Sequence, residues 1–121
     1  MAFFEQFAAL GEQARLIQRS EARLPTNDFS WAGLGVEIEL KRIWTANYSN
    51  ASSLIQRAVS KARAHGFVKE NFIIDLGDRM LTGKLHDQLS QYNIRNPENR
   101  IRALWVMTKR SLVKITLLDQ E

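Results

Sequence analysis

The sequence predicts an α+β domain with about three helices, a C-terminal β-hairpin and one further short strand. Apolar residues recur every three or four positions in long segments, which is typical of helices that bury one face. Near the C-terminus, two runs rich in Val, Ile, Thr and Trp flank four polar residues, and these apolar types prefer strands. An all-α bundle is the alternative. The 121 residues fit a single domain spanning 1–121.

The first predicted helix runs from Phe3 to Glu21. Its apolar positions alternate between spacings of four and three residues. They are Phe3, Phe7, Leu10, Ala14 and Ile17. We expect the helix to end before Pro25, because the residue before a proline is pushed out of the helical region. The stripe covers fewer than three heptads, so it favours a helix that faces the core over a dimerising seam.

The segment from Trp31 to Leu40 predicts a strand. Apolar residues alternate there with glycine and glutamate, which indicates a half-buried strand. A helix is the other interpretation, because Glu37 and Lys41 stand at the i,i+4 spacing of a helical ion pair.

The second predicted helix spans Asn50 to His65 and has a continuous apolar face. Ser49 or Asn50 can cap its start, since both side chains can accept a backbone N–H bond. Gly66 follows as a left-handed C-cap.

Residues 67–76 predict an irregular segment or a short strand, and residues 93–99 predict a loop. Between them we expect a third helix, from Asp75 or Asp78 to about Tyr92. A glycine in its interior would cost about 1 kcal/mol relative to alanine.

The last two strands are predicted within residues 104–118, with Thr108 to Ser111 as the turn. This turn has neither Gly nor Asn, so it is not a two-residue hairpin turn. The rival interpretation is a helix capped by Asn96 with Pro97 at its first position, because the apolar residues that follow also fit a helical stripe.

The net charge of +4 is unevenly distributed: −3 over residues 1–40, +5 over residues 41–70 and +2 over residues 71–121. This asymmetry favours an anion-facing surface, and a mixed solvated surface is the plainer explanation.

The chain has no cysteine, which excludes disulfides. The N-terminus lacks the basic start of a secretory signal, and no apolar run approaches the roughly 20 residues that span a bilayer. We therefore expect a cytoplasmic protein without a membrane segment.

Candidate catalytic and metal-binding residues are few. His65 with Glu70 could form a base and its orienting carboxylate, but a surface histidine at a helix end is the plainer interpretation. Asp75 and Asp78 are better explained as helix caps than as a cation site. His86 has no second ligand at metal-binding spacing. We predict a non-enzymatic protein with no cofactor and no metal.

Basic residues give the strongest functional signal, because several phosphate contacts from such side chains produce salt-sensitive binding to DNA or RNA. We predict a small nucleic-acid-binding or regulatory protein whose contacts are mainly electrostatic. The predicted nucleic-acid-binding residues are Arg57, Lys61, Arg63, Lys69, Lys109, Arg110 and Lys114. Trp44 and Trp105 lie among basic residues and could stack on an unpaired base, but we expect both to be core residues.

The predicted order of elements is helix, strand, helix, helix, strand, turn and strand, which is similar to that of a winged-helix domain. The resemblance implies that Lys109 and Arg110 tip the wing and that the helix over residues 78–92 enters the major groove. Two features oppose it. Residues 66–77 separate the helices by more than the usual short turn, and the third helix carries no positive excess.

A protein-interaction module is the second function class, such as an accessory subunit or an inhibitor that binds an acidic protein. Its surface would be the helix that carries Phe3, Phe4 and Phe7, or the outer strand of the terminal sheet, since an exposed strand edge can pair with a partner strand. We also expect a homodimer, because symmetric dimers are common among small proteins.

Overall fold

A central sheet of six strands organises the protein in a computed structural model, which describes residues 7–10, 14–16, 29–31 and 35–118. The strands follow one another across the sheet in chain order. They are β1 (Ala14–Leu16), β2 (Phe29–Trp31), β3 (Val36–Arg42), β4 (Asn71–Asp75), β5 (Ala103–Met107) and β6 (Leu112–Ile115). Strands β3, β4 and β5 run parallel, and the other neighbouring pairs are antiparallel.

Helices make the connections between the parallel strands. Helix α1 (Tyr48–Ala64) links β3 to β4, while α2 (Gly83–Ser90), α3 (Tyr92–Arg95) and the 3-10 turn Pro97–Asn99 link β4 to β5. Such crossovers are required because each parallel strand must start from the same end of the sheet.

Helix α1 confirms the second predicted helix. Its N-cap is Asn47, whose side-chain oxygen accepts the backbone N–H of Asn50 at 2.8 Å. The cap is therefore neither of the two residues predicted for that role. Gly66 has a φ of +77°, as predicted for the left-handed residue that ends the helix.

The third predicted helix begins later than expected. Helix α2 starts at Gly83, and the Thr82 hydroxyl caps it by accepting the N–H of Leu85 at 3.1 Å. Gly83 therefore occupies the first turn of the helix. Asp75 ends strand β4, and its carboxylate accepts the N–H of Gly77 at 2.8 Å, so the prediction that it caps a helix is wrong.

Two further local predictions are wrong. Residues 93–99, predicted as a loop, are helical in part, since they include most of α3 and the 3-10 turn. The first predicted helix is interrupted at Ala14–Leu16, which forms strand β1 and pairs with β2. Residues 7–9 are helical, and most of the remaining predicted span lies outside the described residues. Pairing with a distant segment overrides the helical spacing of the apolar residues here.

Two apolar clusters cover the two faces of the sheet. The first, beneath α1 and α2, includes Ile55, Phe72, Ile74, Leu89 and Leu104. The second, on the opposite face, includes Phe7, Trp31, Ile38, Ile73 and Trp105. Strands β4 and β5 are buried along their whole length because both of their faces are covered.

The α+β class is confirmed, and β5 and β6 form the predicted C-terminal hairpin. The predicted arrangement of about three helices, a hairpin and one further short strand is wrong, because a mixed six-stranded sheet forms the centre of the fold. The winged-helix order and the all-α alternative are wrong for the same reason. Strands buried on both faces lack the alternation that marks a half-buried strand, so their number is underestimated from sequence.

Within the residues described, every helix is too short or too polar to cross a lipid bilayer.

Candidate nucleic-acid interface

The three parallel strands end at the same side of the sheet, which we call the carboxyl end. It comprises residues 42–44, 75–79 and 107–111. In open α/β sheets, ligands usually bind beyond the carboxyl ends of the parallel strands. Two of the predicted nucleic-acid-binding residues, Lys109 and Arg110, are located here and are exposed.

The turn that carries these two cations is closed by Thr108. The Thr108 hydroxyl oxygen accepts the N–H of Arg110 at 3.3 Å and the N–H of Ser111 at 3.2 Å. The backbone N–H of Thr108 also donates to the Ser111 carbonyl at 2.8 Å. These bonds define the turn without glycine. Within the described part of the chain, the side chains of Lys109 and Arg110 make no hydrogen bond or ion pair.

A groove of about 560 Å³ opens beside this turn. It is lined by the turn itself and by residues that follow β4, including Asp78, Arg79 and Met80. Arg79 is oriented by a 2.6 Å hydrogen bond from its guanidinium Nη2 to the carbonyl oxygen of Ile43. Among the residues that the structure describes, three cations and one carboxylate border the groove, and the net positive charge favours an anionic ligand.

Trp44 lies at the same end of the sheet, just after β3, and is 74 % exposed. The Arg42 guanidinium carbon is 5.0 Å from the centre of the Trp44 ring, within cation–π range. Trp105 is only 7 % exposed and packs against Trp31. The expectation of two core tryptophans is thus confirmed for Trp105 and wrong for Trp44. At the end of β3 the core position is taken by Ile43 instead.

A second basic groove lies at the opposite, amino end of the sheet and has a volume of about 390 Å³. Arg63 on α1, Lys69 before β4, and Arg100 and Arg102 before β5 contribute its cations. The structure therefore brings the predicted Arg63 and Lys69 together with two arginines that were not predicted. The five residues of β5 separate the two ends of the sheet by roughly 17 Å, at about 3.3 Å per residue.

Cations at the amino end already bind other groups of the protein. The Arg63 guanidinium donates to the Glu98 carbonyl and, at 3.0 Å, to the side-chain oxygen of Asn99. The Lys69 ammonium lies 2.9 Å from the Glu39 carboxylate. These bonds reduce the donors that the amino-end groove can offer to an anion, so the carboxyl end is the stronger candidate interface.

The remaining predicted residues face other surfaces. Arg57 and Lys61 are exposed on α1. Lys114 lies on β6 with its ammonium 5.7 Å from the centre of the Trp105 ring. The seven predicted residues thus form no single patch.

A buried ion cluster occupies β3. Glu39 is 3 % exposed, and its Oε2 atom lies 2.9 Å from Lys69 Nζ and 3.2 Å from Lys41 Nζ. Glu39 and Lys41 are two residues apart on one strand, so their side chains project to the same face, which α1 covers. Burying a charge is costly unless it is paired, and the two ion pairs made by Glu39 offset part of that cost.

The histidines and the first helix offer less chemistry. His65 is exposed, and its Nδ1 lies 3.0 Å from the Lys61 carbonyl at the end of α1. The described residues contain no group of three or more His, Asp or Glu that could hold a metal ion.

Phe7 is buried and packs edge-to-face on Trp31, so a partner protein has no access to it. Phe3 and Phe4 lie outside the described residues.

Sequence reasoning did not select Arg42, Arg79, Arg100 or Arg102 as site residues. Arg42 and Arg79 lie at or after the end of a parallel strand, and Arg100 and Arg102 directly precede one. The available signal was a basic residue flanking an apolar run. A basic residue beside an apolar run indicates a site only when the run is known to be one of several parallel strands, as β4 and β5 are.

No protein-family model, curated protein or solved structure matches this chain.

Proposed function

We propose that the protein binds nucleic acid at the carboxyl end of its sheet, mainly through phosphate contacts by Arg79, Lys109 and Arg110. The observation that carries this proposal is the exposed Lys109–Arg110 pair on a turn fixed by Thr108. Such a pair presents cations from a constrained backbone, which lowers the entropy lost on binding.

Phosphate contacts would be sufficient for binding without base readout. Each phosphate that a lysine or arginine neutralises releases condensed counterions, and this release drives sequence-independent binding. Arg79 strengthens the case because a backbone bond holds its guanidinium beside the turn before any ligand arrives. Asp78 lowers the local positive potential. Affinity should depend strongly on salt because ions in solution screen exposed charges.

The test is a fluorescence anisotropy titration of short labelled DNA and RNA oligonucleotides at several salt concentrations. The double variant Lys109→Gln/Arg110→Gln removes two charges from the carboxyl end. Its matched control, Arg57→Gln/Lys61→Gln, removes two charges from the exposed side of α1. Both double variants have the same net charge, so only the position of the removed charges differs.

We expect Lys109→Gln/Arg110→Gln to bind more weakly than the wild type. Its affinity should also fall less steeply as the salt concentration rises. The slope should fall by roughly 0.7 to 0.9 for each phosphate that the protein no longer neutralises. The α1 variant should bind like the wild type. Absence of binding to any DNA or RNA at low salt would reject the function. Equal weakening of both variants would reject the site, because the effect would then follow net charge alone.

Cleavage of a bound nucleic-acid strand is a second candidate function, favoured by the cluster of Lys41, Glu39 and Lys69. The cluster places three charged groups on a largely apolar sheet face. Lys41 is the most accessible member of the cluster, with 28 % of its side chain in contact with water. Water would form a new bond to phosphorus as the bond to the leaving oxygen breaks, and the proton of that water would pass through solvent to the leaving oxygen. The Lys41 ammonium would stabilise the negative charge that grows on the phosphate during this step. Glu39 would position that ammonium.

This second candidate is tested by incubating labelled single strands with the protein, with and without Mg²⁺, and resolving the products on a gel. Cleavage by the wild type that is abolished in Lys41→Gln supports it. The matched control is Lys84→Gln, which changes an exposed lysine on α2. Intact oligonucleotide under all conditions would reject the candidate and leave the binding proposal in place.

A further inference from the structure

We infer that Trp44, oriented by Arg42, stacks on an unpaired base, so that the protein's ligand is a single strand or a duplex with a flipped or unpaired nucleotide. This inference rests on the proposed function, because it names the class of nucleic acid bound at the same end of the sheet. It adds a contact to the base where the proposed function uses phosphate contacts alone.

The exposure of Trp44 is the first supporting observation. Burying an aromatic side chain stabilises a fold, and a tryptophan contributes more apolar area than any other residue. The neighbouring Ile43 is almost fully buried, whereas Trp44 has 74 % of its surface in water. Trp44 therefore contributes little to the core, and its indole face is available to a ligand.

The position of Arg42 is the second observation. Its guanidinium lies 5.0 Å from the centre of the Trp44 ring. Cation–π contact limits the motion of an exposed indole, so less ordering is needed when a base arrives. The same cation would attract the phosphate of a nucleotide stacked on the indole. An aromatic platform bordered by cations is the arrangement by which single strands are commonly bound.

Continuity with the groove is the third observation. Arg79 lines the groove beside Lys109 and also bonds to the carbonyl of Ile43, the residue before Trp44. Arg79 therefore links the platform to the phosphate-binding turn. Met80, on the groove wall, is also highly exposed and adds apolar surface beside these cations. A strand lying along this path would meet alternating aromatic, basic and apolar groups.

Duplex DNA is a poorer ligand for this surface. Its base faces are covered by neighbouring pairs, so only the backbone and the groove edges remain accessible. A single strand exposes a base face at every step, and stacking tolerates any sequence because every base has a π-face. We therefore expect tighter binding to single strands than to a duplex of the same sequence.

The experiment compares Trp44→Ala, Trp44→Phe and the Lys109→Gln/Arg110→Gln variant on a labelled single strand and on the matching blunt duplex. Trp44→Ala should weaken single-strand binding by about tenfold or more and leave duplex binding nearly unchanged. Trp44→Phe should retain most of the affinity. In the wild type, the single strand should quench tryptophan fluorescence, and Trp44→Phe should remove that quenching because Trp31 and Trp105 are buried.

The two proposals fail in different ways. If Trp44→Ala leaves single-strand affinity unchanged while Lys109→Gln/Arg110→Gln lowers it, the stacking inference is overturned and the binding function stands. If the wild type binds no oligonucleotide, both are overturned. If Trp44→Ala changes only the oligomeric state measured by sedimentation, the indole is a protein contact and the stacking inference is overturned.

Discussion

The side chain of Asn93 makes two hydrogen bonds with the backbone of Ile101. Its Nδ2 donates to the Ile101 carbonyl at 2.8 Å, and its Oδ1 accepts the Ile101 N–H at 2.8 Å. Both residues are buried. The Asn93 side chain thus bonds both the backbone N–H and the carbonyl of Ile101, just before β5. These two bonds connect α3 to the start of that strand.

Replacing Asn93 with alanine should lower the free energy of unfolding by about 2 to 4 kcal/mol, because both backbone groups of Ile101 would be buried without a partner. Denaturant unfolding of the purified variant measures this change. Gln91→Ala, at an exposed position nearby, is the control and should change stability by less than about 0.5 kcal/mol. An Asn93→Ala protein as stable as the wild type would contradict the role assigned to the amide.

The Tyr92 phenol should make the protein sensitive to alkaline pH. Burial raises the pKa of Tyr92 well above its ordinary value of 10.0, and Tyr48 adds a smaller rise. The folded protein thus disfavours ionisation, so this contribution to stability is complete below about pH 10 and is lost as the pH rises further. We expect denaturant midpoints to fall above pH 10 in the wild type.

Tyr92→Phe should flatten that alkaline decline. At neutral pH it should cost about 1 kcal/mol, because the Tyr92 hydroxyl no longer donates its 2.9 Å bond to the Asn99 carbonyl. The difference in unfolding free energy between the wild type and Tyr92→Phe at each pH isolates the contribution of Tyr92 from that of every group the two proteins share. An unaltered alkaline decline in Tyr92→Phe would show that other groups cause it.

Thr108→Ala should destabilise the C-terminal hairpin by about 1 to 2 kcal/mol, because it removes the hydroxyl that accepts the N–H groups of Arg110 and Ser111. Thr108→Ser keeps the hydroxyl and is the matched control. Hydrogen exchange at the amides of β5 and β6 should quicken in the alanine variant alone. Equal behaviour of the two variants would indicate that the hydroxyl does not define the turn.

Glu39→Gln should lower the free energy of unfolding by about 3 kcal/mol, because the Lys69 ammonium, only 9 % exposed, loses its carboxylate. Lys41→Gln should cost less than about 1 kcal/mol, since Lys41 is more exposed and its ion pair is weakened by water. Thermal or denaturant unfolding of the two variants gives the comparison. Equal losses of stability in the two variants would contradict this prediction, because Glu39→Gln leaves the more deeply buried ammonium without its carboxylate.

Local sequence patterns were sufficient to predict the features that depend on neighbouring residues. They predicted the α+β class, helix α1 with its glycine C-cap, and the hairpin between β5 and β6. Helical hydrogen bonds and hairpin turns join residues close in the chain, so local spacing and turn chemistry are enough to indicate them. The positive charge and the Lys109–Arg110 pair at a turn were also readable from the sequence alone.

The contacts between distant segments became evident in the folded protein. Folding made Ala14–Leu16 a strand by pairing it with β2, and it joined Lys69 to Glu39 on β3. It also left Trp44 in water while Trp105 entered the core. The physical reason is that strand pairing, ion pairing and burial depend on partners far along the chain, and no local pattern specifies those partners.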